Sequence, residues 1–176
     1  ELFQKTKDMA NKDFMTGAYN RRFFFDSGEA IFEKAKRAKK DLVVAMFDID
    51  KFKNINDTYG HDVGDVAICE VANILNENLR ESDLMARFGG EEFIVIIVDC
   101  DADRMVKVAE EIRIAFSQQK IQANSEEFSK TVSIGCSLFP NTNKGFWKYV
   151  KQSDIALYEA KQTGRNKVIK YVEGMK

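Results

Sequence analysis

The run LVVAMF at residues 42–47 decides the fold, because it is short and apolar throughout. Six consecutive apolar residues are too few for a buried helix, and they suit a β-strand that is covered on both faces. A strand of this kind lies inside a sheet that carries helices. The sequence around it should therefore hold further strands and amphipathic helices.

Amphipathic helices are predicted on both sides of this strand. Asn20 is suited to cap a helix over residues 21–39. One apolar stripe marks each of two further helices, over residues 65–80 and 102–117, and a last helix is expected over about 145–162. Helices thus precede and follow the buried strand.

Further strands are predicted around a glycine pair. Residues 84–88 and 92–98 flank Gly89-Gly90, and paired glycines with positive φ are typical of tight hairpin turns. Residues 131–139 alternate between apolar and polar, and 167–171 can add an edge strand. We expect an α/β protein of α+β type, with a mixed central sheet of about five strands, an antiparallel hairpin and surrounding helices.

The composition excludes several classes of protein. Lys and Arg total 27 against 28 Asp and Glu, whereas domains that bind duplex nucleic acid are usually strongly basic. No apolar run approaches the ~20 residues that span a bilayer. Cys69, Cys100 and Cys136 form no CxxC pair, which argues against a disulfide framework or a zinc site. These features favour a cytoplasmic protein without a nucleic-acid partner.

Two acidic motifs stand at predicted strand ends. Asp48-Ile49-Asp50 follows the buried strand, where carboxylates are costly unless they are paired or bound to metal. Glu91, at the hairpin tip, would then meet Asp48 and complete a site for a hard cation such as Mg²⁺. The alternatives are a turn with a helix cap for the aspartates and a solvated tip for the glutamate.

Three further pairs of residues each admit a functional and a structural interpretation. Asn56 and Asp65 offer the acceptors that guanine requires, but they are also ordinary helix caps. Lys161 and Arg165 can clamp phosphate, or they can stabilise a helix end that stops at Gly164. The pair formed by Arg80 and Asp83 fits an exposed ion pair, or an arginine that grips guanine.

The order and spacing of five blocks resemble the GGDEF family, the diguanylate cyclases of bacteria. The resemblance implies a fold similar to the palm-like domain of nucleotidyl cyclases. It also implies a GGDEF diguanylate cyclase domain at residues 13–172, after the end of a linker helix at 1–12 from a missing upstream sensory domain. The blocks are DFMTGAYNRR (13–22), DIDKFKNINDTYGHDVGD (48–65), GGEEF (89–93), TVSIG (131–135) and AKQTGRN (160–166).

The resemblance implies that two GTP molecules condense into cyclic di-GMP and two pyrophosphates. Two Mg²⁺ per active site, or Mn²⁺ in their place, would be held by Asp48 and Glu91 and by the carbonyl of Ile49. Glu92 joins Asp48 and Glu91 as a catalytic residue. The family pattern further assigns guanine to Asn56 and Asp65, and phosphate to the backbone around Phe52 and to Lys53, Lys161 and Arg165.

The resemblance also implies partners and regulation. One domain holds one GTP, so turnover requires a homodimer. Arg80 and Asp83 match an RxxD site at which cyclic di-GMP inhibits the enzyme. Glu111 stands where some members carry a helper arginine, which makes tight closure of two domains by product less secure than product binding.

Two other functions stay open. The first is a catalytically idle module that binds GTP or cyclic di-GMP as a sensor. The second is a purine-nucleotide cyclase with a different product, which Asp65 argues against, since relatives that accept ATP tend to lack this carboxylate. In each case we expect a bacterial cytoplasmic domain, whose parent protein can be membrane-anchored.

Overall fold

The structure is a computed structural model and describes residues 10–140 and 145–176. The linker helix expected at residues 1–12 lies almost wholly outside this range. The helices are α1 (Arg21–Arg37), α2 (Phe52–Tyr59), α3 (His61–Asn78), α4 (Ala102–Gln118) and α5 (Phe146–Gln162). The strands are β1 (Tyr19–Asn20), β2 (Leu42–Ile49), β3 (Leu84–Arg87), β4 (Glu92–Val98), β5 (Ile121–Ala123), β6 (Glu126–Phe128), β7 (Val132–Phe139) and β8 (Val168–Lys170).

A six-stranded mixed sheet in the order β1-β3-β4-β2-β7-β8 forms the centre of the molecule. The expected central strand is β2, which is antiparallel to β4 and β7 and buried at all eight residues. The hairpin of β3 and β4 is antiparallel and β8 is an edge strand, both as predicted, and β8 is parallel to β7. The sixth strand, β1, has only two residues and leaves no periodic pattern in the sequence.

Alternate side chains of β2 enter two separate cores. Val44 and Met46 pack among apolar residues of α1 and α5, including Phe24 and Phe32. The side chains on the opposite face pack among those of α3 and α4. Helices therefore cover both faces of the sheet, which explains why β2 shows no polar alternation.

Two helix ends match the sequence prediction, and one differs. Asn20 caps α1 by accepting a hydrogen bond from the Phe23 amide, and Gly164 follows α5 with φ of 114°. Helix α3 begins at His61 rather than near Asp65, because the break falls at Gly60, whose φ is 91°. Asp65 consequently lies one turn inside α3 instead of capping it.

The sequence analysis missed the small two-stranded sheet of β5 and β6. Its strands have three residues each, too few for an alternating pattern. The signal that could have revealed it is the turn between them, where Asn124 has φ of 57°. Among the described residues, no helix has the length and apolar character needed to cross a membrane.

Candidate active site

The acidic motifs meet at the end of β2. Asp48 lies opposite Glu92 of β4 on one side and Ser133 of β7 on the other. The Ile49 amide donates to the Glu91 carbonyl over 3.5 Å. The central strand and its hairpin neighbour thus bring Asp48, Ile49, Glu91 and Glu92 together, as the sequence predicts.

Asp48 is a buried carboxylate in an acidic neighbourhood. It is 5% exposed, and its Oδ2 lies 2.8 Å from Nζ of Lys161 on α5. Burial raises its pKa to about 7, with Glu91 and Glu92 adding to the rise and Lys161 opposing it. Positive charge is therefore favourable at this position.

The donor set fits a hard divalent cation. Asp48 and Glu91 offer carboxylate oxygens and Ile49 offers a carbonyl oxygen, which are the ligands that Mg²⁺ prefers. In the part of the chain that the structure describes, no three or more His, Cys, Asp or Glu side chains form a metal-holding group. A cation here would therefore need other oxygens, such as those of water and of substrate phosphates.

Of the two hairpin glycines, Gly89 matters for the space that it leaves rather than for its φ. Gly89 and Gly90 do not have the positive φ that we expected of them. The amides of Phe88 and Gly89 donate to the Glu92 carbonyl over 2.8 and 3.3 Å. A Cβ at Gly89 would lie 2.6 Å from Oε2 of Glu92, so a side chain at this position would displace that carboxylate.

Arg87 ties this hairpin to the N-terminal turn, a contact that the sequence analysis missed. Its Nη1 lies 3.2 Å from both oxygens of Asp13, and its Nη2 donates to the Gly90 carbonyl over 2.8 Å. Burial opposes ionisation of Asp13, but hydrogen bonds from Thr16 and the charge of Arg87 hold its pKa below the usual value. The only sequence signal was DFMTG, the block that begins at Asp13.

Asp50 has its partners within the protein. Oδ2 accepts from Oγ1 of Thr131 over 2.6 Å and from the Asn166 amide over 2.9 Å. Oδ1 accepts from Oγ of Ser133 over 2.6 Å. Of the two aspartates of the motif, the structure thus pairs Asp50 with hydroxyls and an amide, and leaves Asp48 beside Glu92 and Lys161.

The residues expected to bind guanine lie on the adjacent helices α2 and α3. Oδ1 of Asn56 is buried without a hydrogen-bond partner, and a Cβ at Gly64 would collide with it. Asp65, which directly follows Gly64, is exposed on α3. An unpartnered buried oxygen is costly, and a ligand that donates a hydrogen bond would relieve that cost.

The residues expected to bind phosphate surround the same strand end. Phe52 begins α2, directly after Lys51, which has φ of 52°. Lys53 is exposed on α2, and Arg165 is exposed just beyond α5. Lys161 is the member of this group that contacts Asp48.

Arg80 and Asp83 form the ion pair that the spacing predicts, but Asp83 has a second role. Nε of Arg80 lies 3.6 Å from Oδ2 of Asp83, whose side chain is 2% exposed. That carboxylate also accepts from the amides of Arg80 and Val98. Asp83 therefore holds the corner between α3 and β3, while the Arg80 side chain is half-exposed. Glu111 is exposed on α4.

Comparison with known proteins gives consistent matches. A family model described as "Diguanylate cyclase, GGDEF domain" matches residues 10–167. The chain is 39% identical over 168 residues to the probable diguanylate cyclase DgcT of Escherichia coli, covering 93% of this chain and 36% of the relative. Diguanylate cyclase A of Treponema denticola is 39% identical over 164 residues, covering 92% and 44%. The chain thus spans less than half the length of these curated relatives.

A solved structure shares the fold. The coiled coil and GGDEF domain of DgcB from Caulobacter crescentus, in complex with c-di-GMP, superposes with a TM-score of 0.90 at 29% identity. The match covers 96% of this chain and 90% of that one. The mixed sheet and its helices are therefore those of a known type of domain.

Proposed function

The chain belongs to the GGDEF family of diguanylate cyclase domains, and from that premise we propose that it condenses two GTP into cyclic di-GMP and two pyrophosphates. The observation that carries the proposal is the buried Asp48 carboxylate, held beside Glu91 and Glu92 with its pKa raised to about 7. This arrangement favours a cation, and the reaction requires positive charge beside the α-phosphate.

Asp48, Glu91 and the Ile49 carbonyl would hold Mg²⁺, two ions per site, with Mn²⁺ as a substitute. When bound, Mg²⁺ supplies charge stabilisation to the attacking and leaving oxygens. In each step the ribose 3′-oxygen of one GTP bonds to the α-phosphorus of the other. The bond from that phosphorus to the pyrophosphate breaks, and Glu92 takes the 3′-hydroxyl proton.

Guanine recognition rests on Asn56 and Asp65. The unpartnered Oδ1 of Asn56 accepts from the exocyclic amine of guanine, and the carboxylate of Asp65 accepts from N1–H. Adenine has no N1–H and no amine at that position, so the same pair disfavours ATP. The phosphates contact the backbone at Phe52 and the side chains of Lys53, Lys161 and Arg165.

Turnover requires a homodimer in this proposal. One domain carries one guanine site and one cation site, whereas each 3′-hydroxyl must attack the α-phosphate of the other GTP. Two copies facing each other satisfy both requirements. Activity per chain should therefore rise with protein concentration until dimerisation is complete.

The direct test is to incubate the protein with GTP and Mg²⁺ and to measure pyrophosphate and cyclic di-GMP. We expect both products in a ratio of two to one, and a Glu91→Gln variant that loses turnover while keeping its melting temperature. Glu29→Gln, at an exposed position on α1, is the matched control and should stay active. Nucleotide binding without turnover at any protein concentration would contradict the cyclase and indicate an idle sensory module.

Product inhibition is proposed at Arg80 and Asp83, where cyclic di-GMP would bind. Arg80→Ala is the cleaner variant, because Asp83 also holds the corner before β3 through the amides of Arg80 and Val98. We expect the Arg80→Ala variant to stay active as product accumulates, whereas the unmodified protein slows. Equal inhibition of both proteins would contradict the assignment.

A further inference from the structure

A cavity of about 300 Å³ lies where the segments after β2, before β7 and after α5 meet. Its lining includes Asp50, Lys51, Lys130 and Arg165. Arg165 is also one of the proposed phosphate contacts. The cavity therefore shares a residue with the phosphate contacts of the proposed site.

The charges around this cavity are unbalanced. Its one carboxylate, Asp50, already accepts hydrogen bonds from two hydroxyls and an amide. Within residues 10–140 and 145–176, Lys51, Lys130 and Arg165 have no carboxylate within ion-pair distance. A second cavity, which Lys161 lines, has balanced charges by contrast. Its lining includes two carboxylates, Glu92 and Asp154, and two lysines, Lys161 and Lys176.

Lys130 lies over an aromatic ring. Its Nζ lies 5.8 Å from the centroid of the Phe128 ring. Phe128 in turn stacks on Tyr59, with centroids 4.3 Å apart and an angle of 5° between the rings. The stack joins the small β5–β6 sheet to α2, and Lys130 lines the cavity next to this sheet.

We propose that Lys51 and Lys130, together with Arg165, bind the terminal phosphate of the nucleoside triphosphate. The inference rests on the proposed function and extends it to the choice between triphosphate and diphosphate. The α-phosphate must lie near Asp48, where bonds form and break. Lys161 contacts Asp48, whereas Arg165 follows the end of α5 and lines the basic cavity together with both lysines. A triphosphate that runs from Asp48 past Arg165 would place its distal phosphate at these lysines.

The test measures binding of 3′-deoxy-GTP and 3′-deoxy-GDP, which have no 3′-hydroxyl and cannot react. For a double variant Lys51→Ala, Lys130→Ala we expect affinity for the triphosphate to fall about tenfold and affinity for the diphosphate to fall less than twofold. Calorimetry in the presence of Mg²⁺ gives both constants. A Lys51→Arg, Lys130→Arg variant should restore the preference, because charge is what the proposal requires.

The matched control is Lys107→Ala, Lys151→Ala, which removes the same two charges at exposed positions of α4 and α5. It corrects for the general loss of positive potential. Equal losses for the two nucleotides, or a control that lowers triphosphate affinity as much, would overturn the proposal while leaving the cyclase intact. Unmodified protein that binds neither nucleotide would overturn the proposed function as well.

Discussion

Asp48 and Asp50 are two residues apart at the end of one strand, but their carboxylates have different surroundings. Both are nearly inaccessible, at 5% and 6% exposed. Asp50 accepts three hydrogen bonds from Thr131, Ser133 and Asn166. Asp48 has Lys161 as its cationic partner, and Glu91 and Glu92 raise its pKa further.

The contrast separates a carboxylate that is satisfied within the fold from one that is proposed to bind a cation. A buried charge is stable when donors satisfy its oxygens, as they do for Asp50. Asp48 lies among like charges, which lowers the free energy of unfolding. A bound cation would offset this repulsion. Substitutions at the two positions should therefore have opposite effects on activity and on stability.

The largest expected effect is loss of activity in Asp48→Asn. The substitution removes the carboxylate that is proposed to hold Mg²⁺, and we expect cyclic di-GMP synthesis to fall on the order of 10³-fold, near the cost of losing one charge-stabilising group. Initial rates at saturating GTP measure the loss. Activity within tenfold of the unmodified protein would remove Asp48 from the site.

The Asp48→Asn variant should also keep its stability. The raised pKa of Asp48 determines how the free energy of unfolding of the unmodified protein changes with pH. The folded pKa of Asp48, about 7, lies above the usual 3.8, so the folded state retains this proton as pH rises through that interval. The free energy of unfolding therefore falls between these two values. Asp48→Asn has no carboxyl group at this position, so this decrease in the free energy of unfolding should be absent. Without divalent cations the variant should melt no lower than the unmodified protein at pH 8. A clearly lower melting temperature would show that Asp48 holds the fold.

The next effect is loss of stability in Asp50→Asn. An amide nitrogen would face a hydroxyl or the Asn166 amide, and hydrogen bonds to charge contribute about 1.5–3 kcal/mol each. We expect the free energy of unfolding to fall by about 3 kcal/mol, seen as a melting temperature roughly 6–12 °C lower. Asp57→Asn, exposed on α2, is the control. An unchanged melting temperature would contradict the claim that Asp50 stabilises the fold and Asp48 does not.

The smallest effect is expected in Ser133→Ala. This removes one of the three hydrogen bonds to Asp50 and should cost about 1 kcal/mol in denaturant unfolding. Ser125→Ala, at the exposed turn between β5 and β6, should cost less than half as much. A loss as large as that of Asp50→Asn would mean that Ser133 stabilises the protein by another route.

Features that depend on neighbouring residues were predictable from the sequence. The apolar run of β2, the glycine-centred hairpin of β3 and β4, and the Asn20 cap are each encoded within a few residues. The glycine pair illustrates the limit of such reasoning. Its location was predicted correctly, but what a side chain at Gly89 would disturb is the position of the Glu92 carboxylate, not the backbone φ of the turn.

Contacts between distant segments were not predictable. No local pattern pairs Asp50 with Asn166, stacks Tyr59 on Phe128, or sets Arg87 between Asp13 and Gly90. The acidic motif offered two interpretations, a turn with a helix cap or a metal site. Neither aspartate caps α2, whose N-cap residue is Lys51. Asp50 accepts hydrogen bonds from distant segments instead, and the charges around Asp48 favour a cation.

The hydrogen bonds of Asp50 also bear on how fast the chain can fold. Its three donors lie 81, 83 and 116 residues further along the sequence. Each bond must wait for closure of a long loop, and proteins dominated by such contacts fold slowly. Protection of the Asn166 amide from hydrogen exchange during refolding would therefore show when the segment after α5 comes into contact with the end of β2.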